Sequence, residues 1–174
     1  MIQPRLAQPS DHEAIMTLIG RAQAYIRTFG IDQWQDGYPE PECIRADIEE
    51  QVGWVFDDNG RIAGYCVLLA GKEPIYDTIE GKWITEGDNY LTIHRMAIDD
   101  AWRGQGLSSQ MIAFAETFAG EKRLLSVRAD THTGNLAMRG LLEKKGFAYC
   151  GTVSYAGLVN HGDPIRVAYE KLLP

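Results

Sequence analysis

The sequence lacks the long apolar runs and the paired cysteines that mark membrane and secreted proteins. No stretch approaches the roughly 18 consecutive apolar residues of a membrane span, and the first residues lack the basic-then-apolar order of a signal peptide. Its three cysteines, Cys43, Cys66 and Cys150, are odd in number and far apart, which favours reduced packing thiols over a disulfide framework. We therefore expect a cytoplasmic protein that has no membrane partner.

Positive charge and linker sequence are also scarce. The chain has 17 Lys and Arg against 24 Asp and Glu, a net charge of −7. A nucleic acid is therefore not an expected partner, because its phosphates would need a basic surface. No Pro-, Gly- or Ser-rich linker and no internal repeat interrupts the 174 residues, which suffice for one complete core. We expect a single domain over residues 1–174.

The most informative segment is a glycine loop between a predicted strand and a predicted helix. Residues 90–98 are rich in β-branched and aromatic side chains and predict a strand. After the loop, apolar residues recur at spacings of three and four from Leu107 to Phe118 and predict a helix of about three turns. A helix N-terminus offers unpaired N–H groups and a positive dipole, and Gly104 and Gly106 allow a close approach of the backbone. The loop therefore predicts a phosphate site.

Spacing separates three kinds of phosphate loop. The dinucleotide fingerprint G-x-G-x-x-G would need glycine at position 109, where this chain has Ser109. The P-loop pattern G-x-x-x-x-G-K-[ST] is absent. The remaining pattern, R-x-x-G-x-S from Arg103 to Ser108, resembles the R/Q-x-x-G-x-G/A loop that holds the diphosphate of coenzyme A in the GNAT superfamily of acyl-CoA-dependent N-acyltransferases. Taken alone, the two glycines are equally typical of a simple turn.

A second segment strengthens the resemblance. Residues 124–130 predict a strand, and a helix is predicted from Asn135 to Lys145, ended by Gly146 and Phe147. Members of the GNAT superfamily carry a similar strand, an Asn at the start of the next helix and a Gly-Phe pair twelve residues on. The two motifs span about residues 90–155. Asn135 is alternatively a plain helix N-cap.

The rest of the chain predicts elements in the order β-α-α-β-β-β-α-β-α-β-β. An Asn-Gly turn at residues 59–60 predicts a hairpin, and residues 71–89 predict mostly loop. The resemblance implies an α/β fold of the α+β type: a single GNAT-like domain whose mixed, mostly antiparallel sheet of about seven strands is flanked by about four helices. The remaining predicted elements are strands at 2–7, 53–56, 61–69, 147–155 and 165–171, and helices at 11–30 and 44–51.

The resemblance also implies an activity and a cosubstrate. It implies an N-acetyltransferase that transfers an acetyl group from acetyl-CoA to a primary amine of a small molecule or peptide, by direct attack in a ternary complex. The pantetheine arm would lie along the strand that ends in Met96, Ala97 and Ile98, beside a bulge and an opening toward residues 124–130. The diphosphate would lie at the loop. The implied contacts there are Arg103, Gly104, Gln105, Gly106, Leu107, Ser108, Ser109 and Asn135.

Proton transfer has one main candidate in the sequence. An alkylamine is neutral in only about one molecule in 2,500 at pH 7, so a general base is expected. His94 precedes Met96 by two residues and suits that role, directly or through water, because histidine exchanges protons near neutral pH. A hydrogen-bonded structural histidine beside Arg95 is the equal alternative. Many relatives place a Tyr that protonates the leaving thiolate seven residues after the helix-start Asn, but this chain has Leu142 there. Tyr149 and Tyr155 remain as candidates for the general acid.

The acceptor site is the least predictable part. Trp34, Tyr38 and Trp83 fall in loops, where aromatic rings either form a substrate wall or only pack the loops. His132 and His161 lack ligand spacing with Cys or a second His, so no metal is expected. A homodimer is compatible with these aromatics and with the family's habit. Two other functions stay open: a non-catalytic sensor or interaction module that binds CoA or acyl-CoA, and a nucleotide or dinucleotide binder.

Overall fold

The predicted order of strands and helices is the observed order, with one short strand added. The structure, a computed structural model, describes residues 1–159 and 162–174. Within them the chain forms eight strands and four α-helices, together with three short 3-10 turns. The elements are β1 (Gln3–Leu6), α1 (His12–Arg27), α2 (Pro41–Glu49), β2 (Gly53–Asp58), β3 (Arg61–Ala70), β4 (Glu80–Gly81), β5 (Tyr90–Ile98), α3 (Leu107–Glu121), β6 (Ser126–His132), α4 (Leu136–Lys144), β7 (Ala148–Ser154) and β8 (Ile165–Leu172).

All eight strands belong to one mixed sheet. Their order across the sheet is β1-β2-β3-β5-β6-β8-β7-β4. Over the described residues, β5 and β6 pair in parallel and the other neighbours pair antiparallel. The parallel pair follows from the connection, because α3 carries the chain back across one face between β5 and β6. The predicted α/β fold with a mostly antiparallel sheet is confirmed.

The two faces of the sheet are covered by different helices. Along β3 the side chains alternate between the faces, as in any strand. Tyr65 and Val67 pack in a cluster with α1 and α2, whereas Cys66 and Leu68 pack in a second cluster with α3. Each helix therefore uses its apolar stripe against one side of the sheet.

Element boundaries differ from the predictions by up to three residues: β6 spans Ser126–His132 where 124–130 was predicted, and α1 ends at Arg27. The second helix begins at Pro41, three residues earlier than predicted, because proline is favoured in the first helical turn, where its missing N–H costs nothing. The 71–89 segment contains a 3-10 turn at Pro74–Thr78 and the two-residue strand β4, which pairs with the edge of β7. Both short elements depend on contacts with distant strands and have no periodic pattern of their own.

The sheet opens between its two parallel strands. Pairing of β5 with β6 runs from Tyr90 opposite Ser126 to Ile93 opposite Ala129 and then stops. On its other side β5 carries a bulge against β3, where Arg95 has a left-handed backbone with φ of 51°. A bulge bends and twists its strand, so β5 turns away from β6 beyond Ile93. The resulting opening positions the site.

Candidate active site

The opening leads into a cleft of about 1210 Å³. One end of the cleft is formed by residues 103–109 and is called the glycine end. The other end, called the carboxylate end, is formed mainly by Glu73, His94, Asp130 and Tyr155. Most of the predicted site residues line this cleft: Trp34, Tyr38, His94, Met96, Ala97, Ile98, Arg103, Gly104, Gly106, Leu107, Ser108, Ser109, Asn135 and Tyr155.

At the glycine end two glycines hold the backbone in the left-handed region. Gly104 and Gly106 have φ of 76° and 81°, values that residues other than glycine rarely adopt. Gly106 caps α3, and the first intrahelical bond runs from the Gln110 N–H to the Gly106 oxygen, 3.2 Å apart. The N–H groups of residues 107–109 therefore precede the helical ladder and point out of its N-terminus. Such an arrangement can bind a phosphate group.

Two side chains support the glycine end. The guanidinium of Arg103 lies 3.5 Å from the ring centre of Tyr25 and pairs with Asp100. Gln105 does not line the cleft; its side-chain amide donates to the Ala101 oxygen at 2.6 Å and ties the loop to the preceding turn. Arg103 thus contributes positive charge at the loop, while Gln105 stabilises its shape.

Between the two ends, β5 presents one free edge to the cleft. Ala97 and Ile98 pair with Tyr65 and Gly64 of β3 on one side. On the other side they lie beyond the point where pairing with β6 stops. The backbone groups of residues 96–98 on that edge can pair with an extended ligand as an added strand would. The predicted bulge and opening are both present.

His94 at the carboxylate end is hydrogen-bonded to an acidic residue. Its Nε2 lies 2.8 Å from Oε2 of Glu73, and this bond holds the pKa of Glu73 below its usual range. An ionised carboxylate can only accept hydrogen bonds, so Nε2 carries the hydrogen of the neutral imidazole and Nδ1 keeps the lone pair. Glu73 was not predicted, because it falls in a segment without periodicity.

Asp130 is the second acidic residue at this end. One of its oxygens, Oδ2, accepts hydrogen bonds from the hydroxyls of Tyr76 at 2.9 Å and Tyr155 at 3.0 Å. Burial raises the pKa of Asp130 above the ordinary value of an aspartate. Burial and the adjacent carboxylate also raise the pKa of Tyr155 well above that of a free phenol. Tyr155, a predicted candidate for the general acid, therefore reaches the cleft, but its hydroxyl already donates a hydrogen bond to Asp130.

The aromatic residues predicted for the acceptor wall divide between two places. Trp34 and Tyr38 line the cleft with ring centres 6.5 Å apart, and burial raises the pKa of Tyr38 to about 12. Trp83 lies outside the cleft: its ring centre is 4.8 Å from that of Tyr76 and 4.3 Å from the Arg128 guanidinium. The structure therefore brings two of the three predicted rings to the cleft.

The second candidate acid, Tyr149, also lies away from the cleft. Its side chain is 58% exposed on β7, with its ring 6.0 Å from that of Tyr169. Leu142, at the position where many relatives have tyrosine, is fully buried in the core cluster that contains α3. Neither residue lines the cleft, so Tyr155 is the one of the two predicted acids that lies there.

Asn135 has the capping role that was its alternative interpretation. Its Oδ1 accepts from the Met138 N–H at 3.1 Å, and its Nδ2 donates to Gln33 at 2.9 Å while the residue lines the cleft. Nε2 of His132 lies 3.0 Å from Oδ1 of Asp32. His161 lies outside the described residues.

The cysteines are free in the structure. Cys66 and Cys150 are buried, and Cys43 is half-buried at the cleft. Burial raises the pKa of the Cys66 thiol to about 12, consistent with a packing role. Within the described ranges, no helix is both long and apolar enough to cross a membrane.

Comparison with known proteins identifies the family. A model of the acetyltransferase (GNAT) family matches residues 19–147. The chain belongs to the GNAT acetyltransferase family. It is 26% identical over 143 residues to the uncharacterized N-acetyltransferase YesJ of Bacillus subtilis, covering 81% of this chain and 78% of YesJ.

Solved structures of other acetyltransferases superpose on nearly the whole chain. A GNAT-family acetyltransferase from Streptococcus agalactiae is 39% identical, with a TM-score of 0.86 over 99% of this chain and 96% of that one. A ribosomal-protein-alanine N-acetyltransferase from Brucella melitensis has a TM-score of 0.71 at 18% identity, over 98% of this chain and 99% of that one. At that identity the likeness concerns the fold alone. The predicted resemblance to the GNAT superfamily is confirmed.

Proposed function

We propose that residues 1–174 form one domain that transfers an acetyl group from acetyl-CoA to a primary amine of a small molecule or peptide. The observation that carries this proposal is the opening between β5 and β6, which joins an anion-binding loop to an acid- and histidine-lined cavity in one cleft. Transfer by direct attack needs both substrates in one cleft at the same time, and the continuous cleft supports a ternary complex.

The donor is expected to occupy the glycine end and the free edge of β5. The diphosphate fits the N–H groups of residues 107–109 and the backbone of Gly104 and Gly106, with Arg103 adding charge. The pantetheine arm fits the free edge at residues 96–98. Acetyl-CoA supplies an acyl group that is already activated as a thioester, so the protein's residues need only bind, orient and move protons.

His94 is the proposed general base. Its Nδ1 lone pair takes a proton from the ammonium form of the acceptor, while Glu73 fixes the ring through Nε2. The neutral nitrogen then forms the C–N bond, and an N–H near Met96 donates to the thioester oxygen as it becomes negative. The C–S bond breaks, the proton that the nitrogen loses on becoming an amide neutralises the thiolate, and His94 releases its proton to solvent. A thiol of pKa about 8.5 leaves readily, so no dedicated acid is required.

Acetyl-CoA binding is the first test, measured by calorimetry on the wild type and Gly106→Ala. Alanine at φ of 81° is strained by about 1–2 kcal/mol. Relief of that strain moves the loop, so we expect the Kd for acetyl-CoA to rise about tenfold. Gly60→Ala is the matched control, because Gly60 has φ of 88°, an equally open surrounding and a place in the β2–β3 hairpin away from the cleft. A wild type that does not bind acetyl-CoA, or a Gly106→Ala variant that binds it equally well, would overturn the assignment.

Release of CoA thiol tests the transfer itself. The screen should contain small primary amines and peptide N-termini, because one structural neighbour is named as a ribosomal-protein-alanine N-acetyltransferase. We expect thiol release that depends on the amine. Binding of acetyl-CoA without release for any amine would instead favour the sensor or interaction module, and tighter binding of NAD or ATP than of CoA would favour a nucleotide binder.

A further inference from the structure

The buried carboxylates of this protein are paired with arginine. Among the described residues, three carboxylates are almost fully buried: Asp47, Asp99 and Glu170. Asp47 lies 2.8 Å from Arg95, Glu170 lies 3.0 Å from Arg128, and Asp99 pairs with Arg21. This pattern is expected, because an ion removed from water needs a counter-ion and hydrogen bonds.

Asp130 departs from this pattern. It is half-buried, yet no Lys, Arg or His nitrogen of residues 1–159 or 162–174 lies within 4.0 Å of its carboxylate. The two basic side chains named nearest to it bind elsewhere: His94 is bonded to Glu73, and Arg166 donates to the backbone oxygens of Asp163 and Ile165. Among the described residues, Asp130 therefore has no direct ion-pair partner.

The hydrogen bonds of Asp130 leave one oxygen available. Both tyrosine hydroxyls, from Tyr76 and Tyr155, donate to Oδ2. Within the same described ranges, Oδ1 accepts no hydrogen bond from the protein. The hydroxyls fix the orientation of the carboxylate but bring no positive charge, so a cation in the cleft can complete the arrangement through Oδ1.

The position of Asp130 in the sheet relates it to His94. Ile93 and Ala129 are the last paired residues of β5 and β6. His94 and Asp130 are therefore the next residues on the two diverging strands, one on each side of the opening, and both line the cleft. A group placed in the opening meets an anion on one strand and an imidazole on the other.

We propose that Asp130 binds the ammonium group of the acceptor through Oδ1 and so selects amines that are cationic in solution. The proposal rests on the proposed acetyl transfer, since it gives that reaction its acceptor subsite. It adds a binding step only: the ammonium nitrogen docks on Asp130 and is held within the opening from which His94 can take a proton. An asparagine at this position would accept the same two hydroxyl hydrogen bonds and lack the charge.

The test uses two amines that differ in charge, titrated calorimetrically into the CoA-saturated protein at pH 7. Benzylamine is cationic under these conditions, whereas aniline is neutral and similar in size. We expect the wild type to prefer benzylamine, and Asp130→Asn to lose benzylamine affinity by about tenfold or more while its aniline affinity stays unchanged. Asp77→Asn is the control: it removes the same charge one residue from Tyr76, at an exposed carboxylate paired with Lys72 outside the cleft.

Three results would overturn the proposal. They are a wild type that binds benzylamine no better than aniline, an Asp130→Asn variant that keeps the preference, and an equal loss of both amines, which would mean a structural role. The CoA affinity of Asp130→Asn reports whether that variant is folded, and the preference of the wild type needs no variant. Failure of acetyl transfer is seen separately, as absent acetyl-CoA binding or absent thiol release.

Discussion

Two polar clusters lie on the same face of β6, two residues apart, and differ in what completes them. The sealed cluster consists of Thr85, Ser126, Arg128 and Glu170; the open cluster consists of Glu73, Tyr76, His94, Asp130 and Tyr155. In the sealed cluster, Glu170 is fully buried and accepts hydrogen bonds from Arg128, Ser126, Thr85 and the Ile84 N–H. The Arg128 guanidinium lies between the rings of Trp83 and Tyr90, at 4.3 and 3.8 Å.

The open cluster has equally good hydrogen bonds but faces the cleft. Its carboxylate at Asp130 is oriented by two hydroxyls and has no direct ion-pair partner among the described residues. A high density of polar contacts therefore does not distinguish a binding site from a structural network. The two clusters differ in whether the carboxylate is paired with a cation of the protein or is left to pair with a ligand. The sealed cluster should therefore control stability, and the open cluster should control chemistry.

The largest effect is expected from Glu170→Gln in the sealed cluster. The variant leaves the buried Arg128 charge uncompensated, which typically costs about 3–5 kcal/mol. Urea unfolding at pH 7 measures this loss. Glu116→Gln is the control, because Glu116 pairs with Lys171 at 2.7 Å in a more exposed setting and should cost about 0–1 kcal/mol. Equal stability of Glu170→Gln and wild type would remove the distinction between the clusters.

His94→Gln in the open cluster should have the opposite profile. Loss of a general base reduces kcat/KM by about 100-fold or more, while the Kd for acetyl-CoA and the free energy of unfolding stay close to wild type. The rate of CoA thiol release, measured against pH with an acceptor from the screen, reports the change. An unchanged rate and pH profile would show that His94 is the structural histidine of the alternative interpretation, with Glu73 as its hydrogen-bond partner.

The glycine end could be predicted from the sequence because its binding groups are consecutive. Residues 103–109 are consecutive and lead directly into α3, so a local motif was enough to predict this turn at the start of the helix. The order of the elements was predictable for the same reason, since apolar periodicity is local. The α3 stripe predicted from Leu107 onward is the stripe that packs on the sheet.

The carboxylate end could not be predicted, because distant segments build it. Glu73, His94 and Asp130 come from a loop and two strands, and only pairing in the sheet brings them to one cleft. Nothing in the sequence around Asp130 distinguishes it from other acidic residues in or next to strands. Trp34 and Trp83 likewise occur in similar loops, but Trp83 packs against Arg128 of β6 and does not line the cleft. Side-chain partners over such separations leave no local signal.

The smallest expected effect is that of Asp130→Asn, which should raise the free energy of unfolding where Glu170→Gln lowers it. Because burial raises the folded-state pKa of Asp130 above its unfolded value, the ionised carboxylate costs stability at neutral pH. The asparagine removes that cost and still accepts both tyrosine hydroxyls, so we expect a gain of about 1 kcal/mol at pH 7. As the pH falls through the raised pKa, the folded wild type takes up a proton and the gap between the two proteins narrows. Urea unfolding at pH 7 and at mildly acidic pH measures the gain in stability and its decrease at lower pH, with Asp77→Asn as the exposed control. A loss of stability at pH 7 would place Asp130 with Glu170 among the structural carboxylates, because removing a charge raises the free energy of unfolding only when the fold does not use that charge.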